Sequence, residues 1–224
     1  MRKTLFVPGE YYHIFNRGNN KQIIFRDNRD WARFLFALLY FQSDTPIYNL
    51  GPKISYFIKH RVFNISRKMT ENIVKNRSVE LINFCLMPNH FHATVKELKE
   101  NGISNYMQRV LNAFTKYFNT KHEQSGHLFQ GPFKAVHIEN NEQLLYLSAY
   151  IHSNPKGIQE WKNKIHQFPW SSFQDYVMKN RWGNLLQQNI ILDQISFGKE
   201  YQNLVKQSGA KDMKEFIDNA TLID

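Results

Sequence analysis

The chain has 224 residues, of which 42% are hydrophobic and 15% aromatic, enough for one domain with a sizeable core. Its 29 Lys and Arg against 19 Asp and Glu give a net charge of +10, which favours a polyanionic partner. The single cysteine, Cys85, excludes an internal disulfide and a cysteine-rich zinc cluster, and we expect a buried, inert thiol. No run of about 18 uncharged apolar residues and no signal segment is present, so we expect a soluble protein inside the cell with no membrane partner.

The first part of the chain predicts a strand and then a helix. Residues 11–17, YYHIFNR, alternate large side chains on one face of a strand, and GNNK follows as a turn. Residues 28–42 place apolar side chains at helical spacing, with Asn28 or Asp30 as the N-cap. Residues 45–79 hold seven Lys or Arg against one acid, Glu71. We interpret them as a basic insertion with one helix, or else as a solvated charged face.

Two short apolar runs predict a β-hairpin. They are ELINFCLM, residues 80–87, and HFHATVKE, residues 90–97, and Pro88 and Asn89 separate them. Proline is unsuited to a central strand, so we place the turn there. Residues two apart on a strand share a face, so His90, His92 and Thr94 project to the same side.

The remaining elements complete the predicted fold class. Residues 103–118 form an amphipathic helix, residues 133–139 a strand, and residues 140–154 a helix capped by Asn140 and ended by Pro155. The order is strand, helix, hairpin, helix, strand, helix. It predicts an α+β fold, a small antiparallel sheet with helices packed on one face. The segments after Pro155 are interpreted as peripheral packing.

A candidate site emerges when the histidine pair is combined with the last helix. His90 and His92 alone are a weak signal, because such spacing also arises by chance. Tyr150 and Asn154 lie four residues apart on one helix face. If that face meets the histidines, Asn154 supplies a third ligand to a cation through its amide oxygen and Tyr150 points its hydroxyl at the metal. The alternative is that Tyr150 is a packed aromatic and Asn154 a C-terminal cap.

These residue types suit phosphoryl chemistry. A cation with open positions polarises a phosphoryl oxygen, and a tyrosine can displace a sugar hydroxyl to form a phosphotyrosine. The ester retains the energy of the phosphodiester, which suits cutting coupled to rejoining. Tyr146 is the nearest rival nucleophile, whereas Tyr106 and Tyr117 lie on another helix. His152 lies roughly 200° around the helix from Tyr150, which favours a DNA contact or plain surface.

Several separated motifs resemble one family. MPN before HFH, then SGHLFQGPFKAVHIE, YIHSNP and WSSFQDY, follow the order found in the single-tyrosine HUH transposases, especially the REP-associated tyrosine transposases. The resemblance runs from about residue 8 to about residue 177. Pro132 departs from it, since relatives commonly have arginine there, and this puts one phosphate contact in doubt.

The resemblance implies a ferredoxin-like sheet and a metal-dependent transposase. It implies cutting and rejoining of single-stranded DNA near hairpins, in DNA transposition or REP-element processing, through a 5′-phosphotyrosine intermediate. Tyr150 matches the nucleophile; His90, His92 and Asn154 match the ligands of Mg or Mn. The ligand set alone does not specify these metals. Further DNA contacts are expected at His127, Lys134, Arg17, Lys116 and His152.

The organisation expected from these motifs is a transposase domain over residues 1–180, which contains the insertion 45–79, and a C-terminal helical extension over 181–224. The expected partner is single-stranded or hairpin DNA, bound by a monomer or a homodimer in the cytoplasm at the nucleoid.

Two alternative functions are weighed. One is a domesticated hairpin-DNA-binding protein without strand transfer; the other is a zinc hydrolase using His90, His92 and a third histidine, His13 or His137.

Overall fold

A four-stranded antiparallel sheet forms the centre of the molecule. The computed structural model describes residues 4–195 and 198–208. The strands are Tyr11–Arg17 (β1), Val79–Met87 (β2), His90–Glu97 (β3) and Lys134–Ile138 (β4), in the order β2-β3-β1-β4. Two central strands are therefore flanked by two edge strands, and the predicted α+β fold with its hairpin at residues 88–89 is confirmed.

Helices precede and follow these strands in the described chain. They are Asn28–Tyr40 (α1), Leu50–His60 (α2), Arg67–Asn76 (α3), Gly102–Lys121 (α4), Asn141–Ser153 (α5), Phe173–Val177 (α6), Asn189–Leu192 (α7) and Lys199–Gln207 (α8). Short 3₁₀ turns cover Asn19–Lys21, Asn154–Gly157, Ile165–Gln167 and Gly183–Leu185. None of the described helices is both long and apolar enough to span a membrane.

Helices cover both faces of the sheet. On one face the ring of Phe91 from β3 lies 4.9 Å from Phe34 of α1, which in turn lies 5.0 Å from Phe114 of α4. On the other face the ring of Tyr150 from α5 lies 5.9 Å from that of His92. Thus α1 and α4 share one face and α5 occupies the opposite one, whereas the sequence predicted helices on one face only. Strand β3 is consequently buried on both sides.

The ends of the site-bearing helix follow the local sequence. The Asn140 side chain accepts a hydrogen bond from the Gln143 backbone, while Gln143 accepts one from the backbone of Glu139. Asn140 is therefore the N-cap, as expected, while Gln143 bonds the residue before the cap, and α5 ends two residues before Pro155.

The N-cap of α1 differs from the prediction. Asp27 is the cap and accepts from the backbone of Arg29 and Asp30, because its extended backbone directs its carboxylate at those groups. Asp30 is instead buried, where it accepts from Lys121 and Tyr117 of α4. Its carboxylate therefore joins two helices across a long sequence separation.

Two further segments differ from expectation. The basic insertion contains two helices, α2 and α3, and Phe57 of α2 packs 5.4 Å from Phe36 of α1. The exposed charges of the insertion masked, in the sequence pattern, the narrow apolar stripe that packs against the core. The segments after Pro155 are not peripheral, since Trp170, Trp182 and Tyr201 are buried in the same core as the sheet. The division of the chain at residue 180 stays a prediction, and part of the proposed extension, residues 209–224, lies outside the described residues.

Glu97 connects the histidine-bearing strand to α4. Its carboxylate is fully buried and accepts from the backbone N–H of Gly102 at 2.9 Å and of Ile103 at 2.6 Å. Burial raises the pKa of this carboxyl, and the two backbone hydrogen bonds oppose that rise. The first free N–H groups of α4 thus find acceptors at the end of β3.

We predict that Glu97→Gln destabilises the fold. The amide presents a donor where the carboxylate presented an acceptor, so a buried N–H loses its partner, at a cost of about 1–3 kcal/mol. The melting temperature measured by circular dichroism should fall by roughly 3–10 °C. Glu100→Gln, an exposed change in the same connection, should cost less than about 0.5 kcal/mol and serves as the control. Equal stability of the two variants would contradict this role for Glu97.

Candidate active site

The histidine pair lies at the end of β3, in the middle of the sheet. His92 stands opposite Phe15 of β1 and Cys85 of β2, and His90 stands opposite Arg17. Side chains directly opposite one another on antiparallel strands project to the same face. Cys85 is buried, and burial raises the pKa of its thiol, as expected for an inert cysteine.

The turn residue Asn89 orients His90. Its amide nitrogen donates to the Lys21 carbonyl at 3.2 Å, which leaves its oxygen toward the imidazole. That oxygen lies 2.7 Å from His90 Nδ1. An amide oxygen only accepts, so the hydrogen belongs to His90 Nδ1 and the lone pair of the neutral ring belongs to Nε2.

His92 is held from behind by a second histidine. Its Nδ1 lies 2.9 Å from Nε2 of His13, and both rings are buried. His92 Nε2 is also buried and has no hydrogen-bond partner among the described residues. Burial lowers the pKa of His92 well below its usual value, and the nearby His13, His90 and Arg17 lower it further. The ring is therefore neutral, as a metal ligand must be.

Tyr150 meets this pair from α5. Its ring is 5.9 Å from that of His92 at an interplanar angle of 76°, and 5% of the residue is exposed. The rings of His90 and His92 are 5.2 Å apart and nearly perpendicular. The structure thus brings the predicted nucleophile to the histidine pair. Tyr106 and Tyr117 lie on α4 at the other face, where they donate to Leu38 and Asp30, respectively.

Asn154 follows α5 directly. Its amide nitrogen donates to the Tyr150 carbonyl at 3.0 Å and to that of Ile151 at 3.3 Å, so it caps the helix. Within the described chain, its amide oxygen makes no hydrogen bond. Capping uses the amide nitrogen of this side chain and the predicted ligand role uses its oxygen, so the two roles are compatible.

The side chains fit a cation with mixed nitrogen and oxygen ligands. The buried His92 Nε2 without a partner and the fixed ring of His90 present two imidazole nitrogens to one side. Across residues 4–195 and 198–208, no three His, Cys, Asp or Glu side chains are grouped to hold a metal. His13 is engaged with His92, and His137 projects to the opposite face and pairs with Glu10. Neither His13 nor His137 therefore joins His90 and His92 in the three-histidine group that the zinc-hydrolase alternative requires.

Two basic side chains border the histidine face. Arg17 stands opposite His90, and its Nε is buried without a hydrogen-bond partner in the described part of the chain. Lys134 of β4 stands opposite Phe15, with its ammonium 5.9 Å from the centre of that ring. Lys116 and His127 lie elsewhere, along a groove between α4 and the loop before β4. They are exposed and are not brought to the site.

The expected DNA contact at His152 is wrong. This residue is fully buried, and its ring bonds to the hydroxyls of Tyr201 and Ser172, both at 2.7 Å. The helical spacing correctly placed it away from Tyr150, but α8 covers that side of α5. The ammonium of Lys156 reinforces this packing by donating to three carbonyls at the end of α8, including that of Val205.

Sequence reasoning missed the residues that orient the histidines. Asn89 was assigned only to the turn, although its position directly before His90 gives an amide that reaches the ring. His13 was considered as a third zinc ligand. Its alternation with Phe15 on β1 signals a shared face, but only the strand pairing reveals that this face is that of His92.

Comparisons with known proteins agree with this geometry. Residues 53–154 match the family model described as transposase, IS200 like, and this segment contains His90, His92, Tyr150 and Asn154. No curated protein matches the chain. A solved structure described as a REP-associated tyrosine transposase bound to a REP hairpin has a TM-score of 0.52 and 14% identity, over 81% of this chain and 87% of that one. That likeness shows the shared fold. Residues 53–154, the segment that carries all four candidate site residues, are thus similar to the IS200-like transposases.

Proposed function

We propose that this protein is a transposase that cuts and rejoins single-stranded DNA beside a hairpin, with Tyr150 as the nucleophile and His90, His92 and Asn154 as ligands of Mg or Mn. One observation carries the proposal. The buried Nε2 of His92, which lacks a hydrogen-bond partner in the described structure, lies on the face where Tyr150 packs edge-on against the same ring. A nucleophile and a neutral nitrogen ligand meet there.

The reaction follows from the groups present. The Tyr150 oxygen attacks the phosphorus, the bond from phosphorus to the 3′ oxygen breaks, and that oxygen leaves as a hydroxyl with a proton. The product is a 5′-phosphotyrosine and a free 3′ end. A divalent ion bound at the histidines supplies polarisation of the phosphoryl oxygen. Rejoining is the reverse attack by a 3′ hydroxyl, which returns the proton to Tyr150.

The metal preference comes from the family together with the donor types. Imidazole nitrogens favour later transition metals, whereas an amide oxygen favours Mg or Mn. Mn accepts both kinds of donor. The Asn154 oxygen would complete this mixed set, and the amide nitrogen of the same residue would keep its bonds to the end of α5.

The charges support a DNA substrate. Arg17 beside His90 has a buried guanidinium nitrogen without a partner in the described structure, which suits a phosphate oxygen. Lys134 borders the same face, and the net charge of +10 adds nonspecific attraction to DNA. The solved structure of similar fold is described as bound to a REP hairpin, which motivates hairpin DNA as the substrate tested.

The domesticated alternative is binding of hairpin DNA without cutting. The observation in its favour is the low exposure of Tyr150, 5%, which limits access of a phosphate to the hydroxyl. Both functions predict hairpin binding. They differ in whether a covalent adduct forms.

We predict that Tyr150→Phe binds a hairpin oligonucleotide with wild-type affinity and forms no covalent adduct. The change removes only the attacking oxygen. Incubation with Mn and labelled DNA, followed by denaturing electrophoresis, measures the adduct. Tyr146→Phe, one helical turn away, is the matched control and should retain it. An undiminished adduct in Tyr150→Phe would exclude this nucleophile, and no adduct in the wild type would favour the binding-only function.

We predict that His90→Ala lowers Mn affinity by roughly 10-fold or more, because one imidazole ligand is lost. Isothermal titration calorimetry with Mn alone measures this directly. His137→Ala, which removes an exposed histidine from the opposite face, should bind Mn as the wild type does. Wild-type affinity in His90→Ala would mean that His90 is not a ligand.

We predict that Arg17→Gln slows adduct formation by roughly 100-fold, because a donor to the charged phosphate is lost. Affinity for the hairpin should change much less, since a single phosphate contact is a small part of the total. Arg67→Gln, at an exposed ion pair on α3, is the control. Equal loss of binding and of rate would assign Arg17 to general DNA affinity instead.

A further inference from the structure

A buried polar row crosses the three strands behind the histidine pair. His13 of β1 stands opposite Thr94 of β3, which stands opposite Asn83 of β2. All three are at most 1% exposed. Within the described chain, His13 Nδ1, Thr94 Oγ1 and both amide atoms of Asn83 have no hydrogen-bond partner. Unpaired buried polar groups destabilise a fold, so such a row indicates a function other than packing.

The contact between His13 and His92 admits a single hydrogen. Two neutral imidazole nitrogens at 2.9 Å share one proton, which belongs to one ring or to the other. If His92 Nδ1 carries it, the lone pair of His92 is on Nε2. If His13 Nε2 carries it, the hydrogen of the neutral His92 ring is on Nε2 instead, and that nitrogen cannot bind a cation.

We propose that His13 is a positioning residue that accepts the Nδ1 hydrogen of His92 and so keeps the Nε2 lone pair available to the metal. His13 then carries its own hydrogen on Nδ1. Thr94 Oγ1, directly opposite His13 on β3, is a buried polar atom without a partner in the described chain. This proposal rests on the metal-binding role of His92 proposed above.

The arrangement parallels that of the other ligand. Asn89 accepts from Nδ1 of His90, and His13 accepts from Nδ1 of His92, so both rings are held through the same nitrogen. The two supports differ in setting: His90 is half-buried at a turn, whereas His92 is enclosed by the sheet and α5. Asn89, in the turn, is close enough to bond only to His90. His92 therefore requires a hydrogen-bond partner on the adjacent strand, β1.

Packing alone is the competing explanation for His13. Its ring centroid lies 5.1 Å from that of His92, with the two planes 22° apart, and 4.8 Å from that of Phe15. Two substitutions separate the roles. His13→Leu preserves bulk and removes the acceptor, whereas His13→Gln places an amide oxygen near the position of Nε2.

We predict that His13→Leu lowers the affinity for Mn, titrated alone, by roughly 10- to 100-fold, and that His13→Gln restores it to within about 5-fold of wild type. Binding of a hairpin oligonucleotide in EDTA should be unchanged in both variants. Wild-type Mn affinity in His13→Leu would overturn the proposal, and so would equal losses in the two variants with both still folded.

A second measurement does not depend on the variants folding. Nitrogen-15 NMR of the imidazoles in metal-free wild type should show His92 protonated at Nδ1 and unprotonated at Nε2. The opposite tautomer overturns the proposal. Failure of the proposed function gives a different result. In that case the wild type binds no Mn and forms no adduct, but His92 still shows this tautomer, so the His13 contact stands and the metal-binding role does not.

Discussion

The burial of β3 on both faces is the constraint on which the rest of the structure depends. Phe91, Ala93 and Val95 pack toward α1 and α4, so the alternate residues His92 and Thr94 must project under α5. A strand shifted by one residue would put the phenylalanine where the histidine stands. The apolar face therefore fixes the register that delivers two imidazoles to one side. One face of β3 therefore contributes to the apolar core, and the other face contributes to the candidate site.

The sequence predicted those elements whose signals are local. The hairpin at Pro88 and the N-cap Asn140 depend on neighbours within a few residues, and both are confirmed. The second helix of the insertion was missed because its exposed charges outnumber its one buried side chain, Ile73. Trp182 was not expected in the core, since its burial depends on Phe63 and Phe84, far away in the chain.

The same distinction holds for the site. Spacing on one strand and on one helix suggested His92 and Tyr150, and the fold brings their rings together. The protonation of the histidines could not be predicted, because it depends on which atoms meet across strands. His13 is 79 residues from its partner in sequence. His152 was misassigned for the same reason: no local pattern shows that Tyr201 covers it.

Under the proposed function, the enclosure of α5 bears on how two DNA ends would be exchanged. The helix is held on one side by the sheet and on the other by α8, through the buried bonds of His152 to Tyr201 and of Lys156 to the end of α8. Swinging α5 to carry an attached strand elsewhere would break those bonds and expose aromatic surface. Replacing one DNA end by another at a stationary tyrosine breaks none of them. In this architecture, moving the DNA costs less free energy than moving α5.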